Sequence, residues 1–547
     1  MRTPKPRLGH ALALAVPNVR STWAALTVAV FLATIGNLRL WRALATGPSA
    51  VSWAAMVAAC LGLLALLNVP LQAIAVPWLF KPLSIAVVLF SAITSYFMLG
   101  FGTLIDVNMV RSVLRTDAVE AGELITLRCV AYVVVVGVVP AAVIALSRVR
   151  YGPARTELAL RAKVVVATLA VAIVAVLPAY KQLRFVTRGD PRLRFMANPV
   201  SPLASLIVLA FGEHARHSAT LKPIAVDAHR RVPLSNDHHK RRVVIFVLGE
   251  TAAAGHFSLN GYGRNTNPEL AARGVLNFPR VTACATATVK SVPCIFSPLT
   301  HKEFSRSRAQ DQQNMLDVLQ RVGITVFWRD NDAGCEGVCD RVPSEAVRGP
   351  PELRHQNEYY DEALLTGLQE HIDVTRGDLF IVLHQKGSHG PAYYRRSPPT
   401  FKRFLPECSR PDLQNCQRDQ LLNAFDNSIL YTDHVLAGVV DLLAANSAKA
   451  EVALLYVSDH GESLGENGIF LHGFPDLIAP EEQKRVPMVF WASPDFLAAK
   501  ALRQEDIRAL AAREYSHDNI FHTVLGMFDI ETAAYARNLD IFASRLP

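Results

Sequence analysis

A bundle of five membrane-crossing helices followed by an exported α/β domain is the fold class this 547-residue sequence predicts. Three observations predict it. Hydrophobic residues make up 51% of the chain and charged residues 19%, with a mean hydropathy of +0.21. That excludes a disordered chain and disfavours an ordinary soluble enzyme. Charge is also unevenly placed. Residues 1–180 hold 15 Lys and Arg against 5 Asp and Glu, and the remainder holds 41 against 42. Basic flanks around apolar helices are a membrane pattern, and they argue against a nucleic-acid-binding face. From about residue 241, short β-branched runs alternate with helical stretches, the pattern of a mainly parallel, doubly wound sheet.

A hydrocarbon core of about 30 Å needs about 20 apolar residues per helix. Stretches near 22–38, 50–68, 82–105, 124–146 and 163–179 qualify. The first is long, lacks a clear small-residue cleavage site and is followed by further spans, so it is read as an anchor rather than a cleaved leader. Arg2, Lys5, Arg7 and Arg20 precede it. Arg148, Arg150, Arg155, Arg161 and Lys163 occupy the fourth-to-fifth connection. Both segments read as cytoplasmic. The 106–123 connection mixes Asp106, Asp117, Glu120 and Glu123 with Arg111 and Arg115, as an outer loop can. Five spans then place everything after about residue 180 outside the cytoplasm.

The reading divides the chain into a membrane domain at 1–180, a connector at 181–240 and an exported domain at 241–547. The connector is rich in Arg, Pro and His, with one apolar piece at Leu203–Phe211. That piece is too short to span; it lies along the membrane face or packs as a buried helix. Cys60 and Cys129 fall in or beside apolar spans. Six more stand in the exported part as near neighbours, Cys284 and Cys294, Cys335 and Cys339, Cys408 and Cys416. An oxidising compartment favours local disulfides there, with free buried thiols as the alternative.

Within the exported domain the strand candidates are Val243–Leu248, Ile324–Trp328, Leu379–Leu383, Val452–Val457 and Met488–Trp491. They lack polar alternation, as strands covered on both faces do. Pro487 stands just before the last, where a strand tolerates it. Asn314–Val322 and Phe425–Leu443 read as helices. Ligands of open α/β sheets bind beyond the carboxyl ends of the strands. The first run leads into Gly249-Glu250-Thr251 and the second into Arg329-Asp330-Asn331-Asp332. The third leads into His384 and then Gly387-Ser388-His389-Gly390. The fourth leads into Ser458-Asp459-His460-Gly461-Glu462.

Carboxylates and imidazoles at four strand ends suggest a metal or acid–base site. Asp, Glu and His together suit Zn²⁺, less often Mn²⁺. A nucleophile fits the run from Ala283 to Cys294, where a Thr at a helix start meets N–H groups that favour a phosphoryl oxyanion. Thr251, Thr286 and Ser291 compete with Thr288 on composition alone.

Taken in order, several stretches identify a family. They are Gly249-Glu250-Thr251, Phe257-Ser258-Leu259-Asn260-Gly261-Tyr262, Thr286-Ala287-Thr288 with Ser291-Val292-Pro293-Cys294, and Ser388-His389-Gly390-Pro391. Asp426 through Asp433, Ser458 through Glu466 and Ser516-His517-Asp518-Asn519 complete the set. Together they resemble the lipid A phosphoethanolamine transferases of the alkaline-phosphatase/sulfatase superfamily, and the resemblance includes the five spans. It implies an alkaline-phosphatase-like exported domain with Thr288 as nucleophile and Glu250, Thr288, Asp459 and His460 as ligands of one Zn²⁺. It places His389 and His472 near the substrate or a second zinc, and it makes the three cysteine pairs local disulfides.

The resemblance further implies that phosphatidylethanolamine gives its head group to Thr288 and that a lipid A phosphate receives it. That would confer resistance to cationic peptides such as polymyxin. The setting implied is the bacterial inner membrane, with the N-terminus cytoplasmic and the catalytic domain periplasmic. Transfer to a lipopolysaccharide core sugar or a periplasmic glucan, or hydrolysis of phosphatase type, are the alternatives. Sulfatase chemistry is excluded, because Cys284-Ala285-Thr286 lacks the Pro and Arg of a C/S-x-P-x-R motif. The sequence departs from the family pattern at two places. Ala252-Ala253-Ala254 stand where an Arg is frequent, and Asp332 and Glu336 stand where an Asn and a Lys are.

Overall fold

The computed structural model describes residues 18–46, 50–116, 118–214, 221–231 and 240–543. Arg2, Lys5, Arg7, Asp117 and the connector stretches 215–220 and 232–239 lie outside them. The chain forms two compact units. One comprises Met1–Val107 and Ile125–Val208, the other Asn108–Leu124 and Leu209–Pro547.

In the first unit the five apolar stretches form helices Ser21–Ala45, Trp53–Ala73, Phe80–Gly100, Leu127–Leu146 and Ala154–Gly189. The first bends through a 3₁₀ turn at Ile35–Asn37, and the fourth contains a π-helical turn at Val134–Val138. At 1.5 Å per residue, the 36-residue fifth helix extends about 54 Å, well beyond a hydrocarbon core. Val135, Leu146 and Val174 face outward from the bundle. Polar groups turn inward. Asn198 is buried and donates to the carbonyls of Gly36 and Ser91 at 3.0 and 2.8 Å, while Thr94 donates to it at 2.7 Å. With no hydrophobic drive between helices in lipid, such bonds and close packing hold the bundle together. Helix Val200–His214 covers the apolar piece of the connector.

In the second unit an eight-stranded sheet carries the site. In chain order its strands are β1 (Arg241–Gly249), β2 (Leu276–Thr282), β3 (Thr325–Asp330), β4 (Ser344–Ala346), β5 (Leu379–His384), β6 (Ala450–Ser458), β7 (Arg485–Ala492) and β8 (Tyr515–Ser516). Their spatial order is β8-β2-β7-β6-β1-β5-β3-β4. All pairings are parallel except those of β7, which runs antiparallel to both β6 and β2. The apolar runs read from sequence lie on β1, β3, β5, β6 and β7. Pro487 sits at an irregularity in the β7–β2 register between Val486 and Met488, where the missing N–H costs no ladder bond.

Helix Arg418–Asn446 is also long and apolar enough to cross a membrane by composition, yet 67% of its apolar window is buried within the fold. Its buried Asp433 accepts from the backbone N–H groups of Glu269 and Leu270. This is a core helix of the sheet unit. Disulfides join Cys284–Cys294, Cys335–Cys339 and Cys408–Cys416, and Cys60 and Cys129 stand outside these bridges.

Candidate metal centre and active site

The parallel register lines up the chemistry. Asp330 pairs with His384, His384 with Leu248, and Ser458 with Gly249. The residues ending β3, β5, β1 and β6 therefore sit level at one sheet edge. The Asp459 N–H donates to the Gly249 carbonyl at 2.9 Å, which carries Asp459 across to Glu250. Two N–H groups, from Thr251 at 3.2 Å and His460 at 2.7 Å, donate to Asp459 Oδ1. Asp459 Oδ2 is buried without a hydrogen-bond partner. His460 Nδ1 is held by the Gly461 carbonyl at 3.0 Å, leaving Nε2 to the site.

Glycine is required behind Glu250. Gly387 has φ +55°, and a Cβ there would lie 2.3 Å from the Glu250 carbonyl oxygen. The neighbouring Ser388 N–H donates to that same oxygen at 3.0 Å.

Thr288 opens helix Thr288–Ile295 after an extended Ala287. Its Oγ1 lies 3.4 and 3.2 Å from the two Glu250 oxygens and 3.2 Å from His460 Nε2. His460 Nε2 is in turn 3.5 Å from Glu250 and 3.3 Å from Asp459 Oδ2. The competing hydroxyls are engaged elsewhere. Thr286 donates to the Phe474 carbonyl, Ser291 to the Asp459 carbonyl and Thr251 to the Glu250 carboxylate. All three are buried, whereas Thr288 is half-buried.

Burial and the Asp459 charge push the Glu250 carboxyl well above its usual range. Burial raises Asp459 to about 7 and lowers His460 to about 4, with His472 adding to that. Two carboxylates, a neutral imidazole and a hydroxyl thus converge, with one carboxylate oxygen lacking a hydrogen-bond partner. This donor set fits Zn²⁺.

The His472 ring lies tilted by 39° against that of His460 with centroids 4.2 Å apart, and His389 lies 5.4 Å from His472. Glu462 accepts from both Tyr393 and His472, the latter at 2.8 Å. Burial holds the Glu462 carboxyl at about 8 and His472 at about 4.

Sequence reasoning passed over several groups here. Glu120 lies 3.2 Å from His389 Nε2. Glu123 accepts from Arg395 at 3.2 Å and Arg396 at 2.8 Å. Lys386 Nζ lies 3.3 Å from Asp332 and 3.4 Å from Glu358. The acidic residues of the 106–123 connection were the available signal, but nothing local says what they meet. The two family departures separate. Asp332 enters the site, whereas Glu336 pairs with Arg306 at 2.8 Å beside a polar recess lined by Gln310, Asn314 and Arg341. Ala252, Ala253 and Ala254 are buried and bring no charge to the site.

Known proteins resemble this chain over both of its units. The sulfatase family pattern matches residues 242–530, and that of phosphoethanolamine transferase EptA/EptB matches residues 63–212. The chain is 38% identical over 482 residues to phosphoethanolamine transferase EptA of Escherichia coli K12, covering 87% of each. It is 37% identical to the Escherichia coli phosphatidylethanolamine transferase Mcr-1, over 83% of this chain and 84% of that protein. The solved lipooligosaccharide phosphoethanolamine transferase A of Neisseria meningitidis superposes with a TM-score of 0.92. It shares 32% identity, over 96% of this chain and 99% of that one. The chain belongs to the phosphoethanolamine transferase family, a membrane-anchored branch of the alkaline-phosphatase/sulfatase superfamily.

Proposed function

We propose that this chain moves phosphoethanolamine from phosphatidylethanolamine to a phosphate of lipid A, through a covalent intermediate on Thr288. One observation carries the reading. Thr288 is the half-buried hydroxyl set within 3.4 Å of Glu250 and 3.2 Å of His460, and the competing hydroxyls are committed to other acceptors. Glu250, Thr288, Asp459 and His460 would hold Zn²⁺, which when bound lowers the hydroxyl pKa and offsets phosphoryl charge.

In the first step Thr288 Oγ1 bonds to phosphorus as the phosphorus–glyceryl oxygen bond breaks. The hydroxyl proton leaves toward Glu250 or His460. The diacylglycerol oxygen takes a proton delivered through His472, which stands beside His460, or through His389, which stands beside His472. In the second step an oxygen of the lipid A phosphate bonds to phosphorus, and Thr288 Oγ1 departs and regains a proton. A covalent carrier lets two bulky lipids use one site in turn. The site is mainly a positioning device, as phosphoryl transfer requires.

Both substrates are lipids, which accounts for the apolar bundle. Strand Asn18–Arg20 pairs with Arg148–Arg150, so Arg20, just before the first span, and Arg148 and Arg150 of the fourth-to-fifth connection share one side. That supports a cytoplasmic N-terminus and a periplasmic catalytic domain in the inner membrane. Capping a lipid A phosphate with an amine lowers surface negative charge and weakens binding of polymyxin.

Mass spectrometry of lipid A from cells with and without the gene tests the reading. A phosphoethanolamine adduct on lipid A is expected. An adduct only on core sugar or glucan would move the acceptor, and free phosphoethanolamine alone would make the protein a hydrolase.

A further inference from the structure

Beside the Thr288 centre lies a second set of metal-ligating atoms. Glu250, Asp332 and His384 each offer one ligand atom, and these atoms lie within 4.8 Å of one another. They come from the ends of β1, β3 and β5, which the parallel register holds level. Glu250 and His384 are fully buried, and the Asp332 side chain is 5% exposed.

His384 is built like a ligand. Its Nδ1 is 3.1 Å from Asp330 Oδ2, which also accepts from the Trp328 indole at 2.9 Å. Asp330 Oδ1 accepts the backbone N–H groups of Asp332 at 2.8 Å and Gly334 at 3.3 Å. A carboxylate bound to one imidazole nitrogen fixes the ring and raises the basicity of the other. That other nitrogen, Nε2, is buried with no hydrogen-bond partner, a costly state for a polar atom. Asp332 Oδ1 lies 3.3 Å from Lys386 Nζ, and the Asp332 carboxylate offers one ligand atom to the cluster.

We propose that Glu250, Asp332 and His384 Nε2 form a second divalent-cation site, with Glu250 bridging it to the Thr288 centre. Two carboxylate oxygens and one imidazole suit Mn²⁺ or Zn²⁺, with water completing the coordination. Asp332, Glu250 and Asp459 bring three carboxylates into a space that water does not screen. A bridging ion offsets that charge and fixes the Glu250 carboxylate against Thr288. The proposal rests on Glu250 serving the Thr288 centre and adds an ion to it.

Metal content of the full-length protein in detergent tests it. The protein is stripped with chelator, reloaded separately with Mn²⁺ or Zn²⁺, desalted and measured by plasma mass spectrometry. The wild type should hold one ion more than Asp332→Asn or His384→Gln, each checked for a wild-type melting curve. Bound Mn²⁺ in the wild type should also show spin coupling in its resonance spectrum, lost in Asp332→Asn. Equal metal content in the wild type and Asp332→Asn overturns the second site. If both hold one ion, the Thr288 centre survives; if the wild type holds none, both readings fall. Asp332→Asn keeps its shape and carries the test alone should His384→Gln not fold.

Discussion

Thr288 is distinguished from its neighbours by what its hydroxyl touches. Thr286 and Ser291 spend theirs on backbone carbonyls. Thr288→Ala should lower transfer by at least about a thousandfold, as loss of a nucleophile does, with an unchanged melting temperature; a kinetic assay on purified protein checks both. The carboxylates give a pH signature. The raised Glu250 and Asp459 bind more protons folded than unfolded. The Asp459 contribution to metal-free stability is present at low pH and is lost as pH rises through about 7, and that of Glu250 is lost in the same sense as pH rises through its own raised value. Zinc bound at the proposed centre would remove that repulsion. The zinc-induced rise in melting temperature should therefore be larger at pH 8 than at pH 6, and equal rises would contradict the assignment. At this scale the sequence showed which residues end the strands, and the family resemblance singled out Thr288. It could not show that Asp459 Oδ2 lacks a hydrogen-bond partner or that Glu462 sits between Tyr393 and His472, because those facts depend on packing between distant loops.

Strand register is what turns separate motifs into one site. The five buried apolar runs were legible because strands covered on both faces have a continuous hydrophobic pattern. Strand β2 was not, since Asn277, Pro279 and Arg280 interrupt its run. The reversed direction of β7 follows from its connections rather than from any local pattern. The loop after β5 is equally constrained. Gly387→Ala forces a Cβ against the Glu250 carbonyl in a left-handed backbone and should cost about 2–4 kcal/mol. Zinc affinity and transfer should fall together, as calorimetry and the kinetic assay would record. The Cys284–Cys294 bridge spans the start of the Thr288 helix. Replacing both cysteines with Ser should cost about 3 kcal/mol from loop closure, read as a lower denaturant midpoint.

Over the whole molecule, the segment between the third and fourth spans belongs to the catalytic unit. Glu123 reaches Arg395 across 272 positions, a contact that no local pattern announces. Helix hydropathy and Lys/Arg placement made the membrane bundle legible. Which acidic residues of a loop face the sheet unit was not. Glu123→Gln leaves Arg396 buried with Glu358 as its remaining carboxylate and should cost about 3 kcal/mol. A melting curve checks this. The most direct test of the central claim is mass spectrometry of the Thr288 peptide after the protein meets phosphatidylethanolamine without acceptor. The account predicts a phosphoethanolamine adduct on Thr288. An adduct on Thr251, Thr286 or Ser291 instead, or undiminished transfer to lipid A by Thr288→Ala, would contradict it.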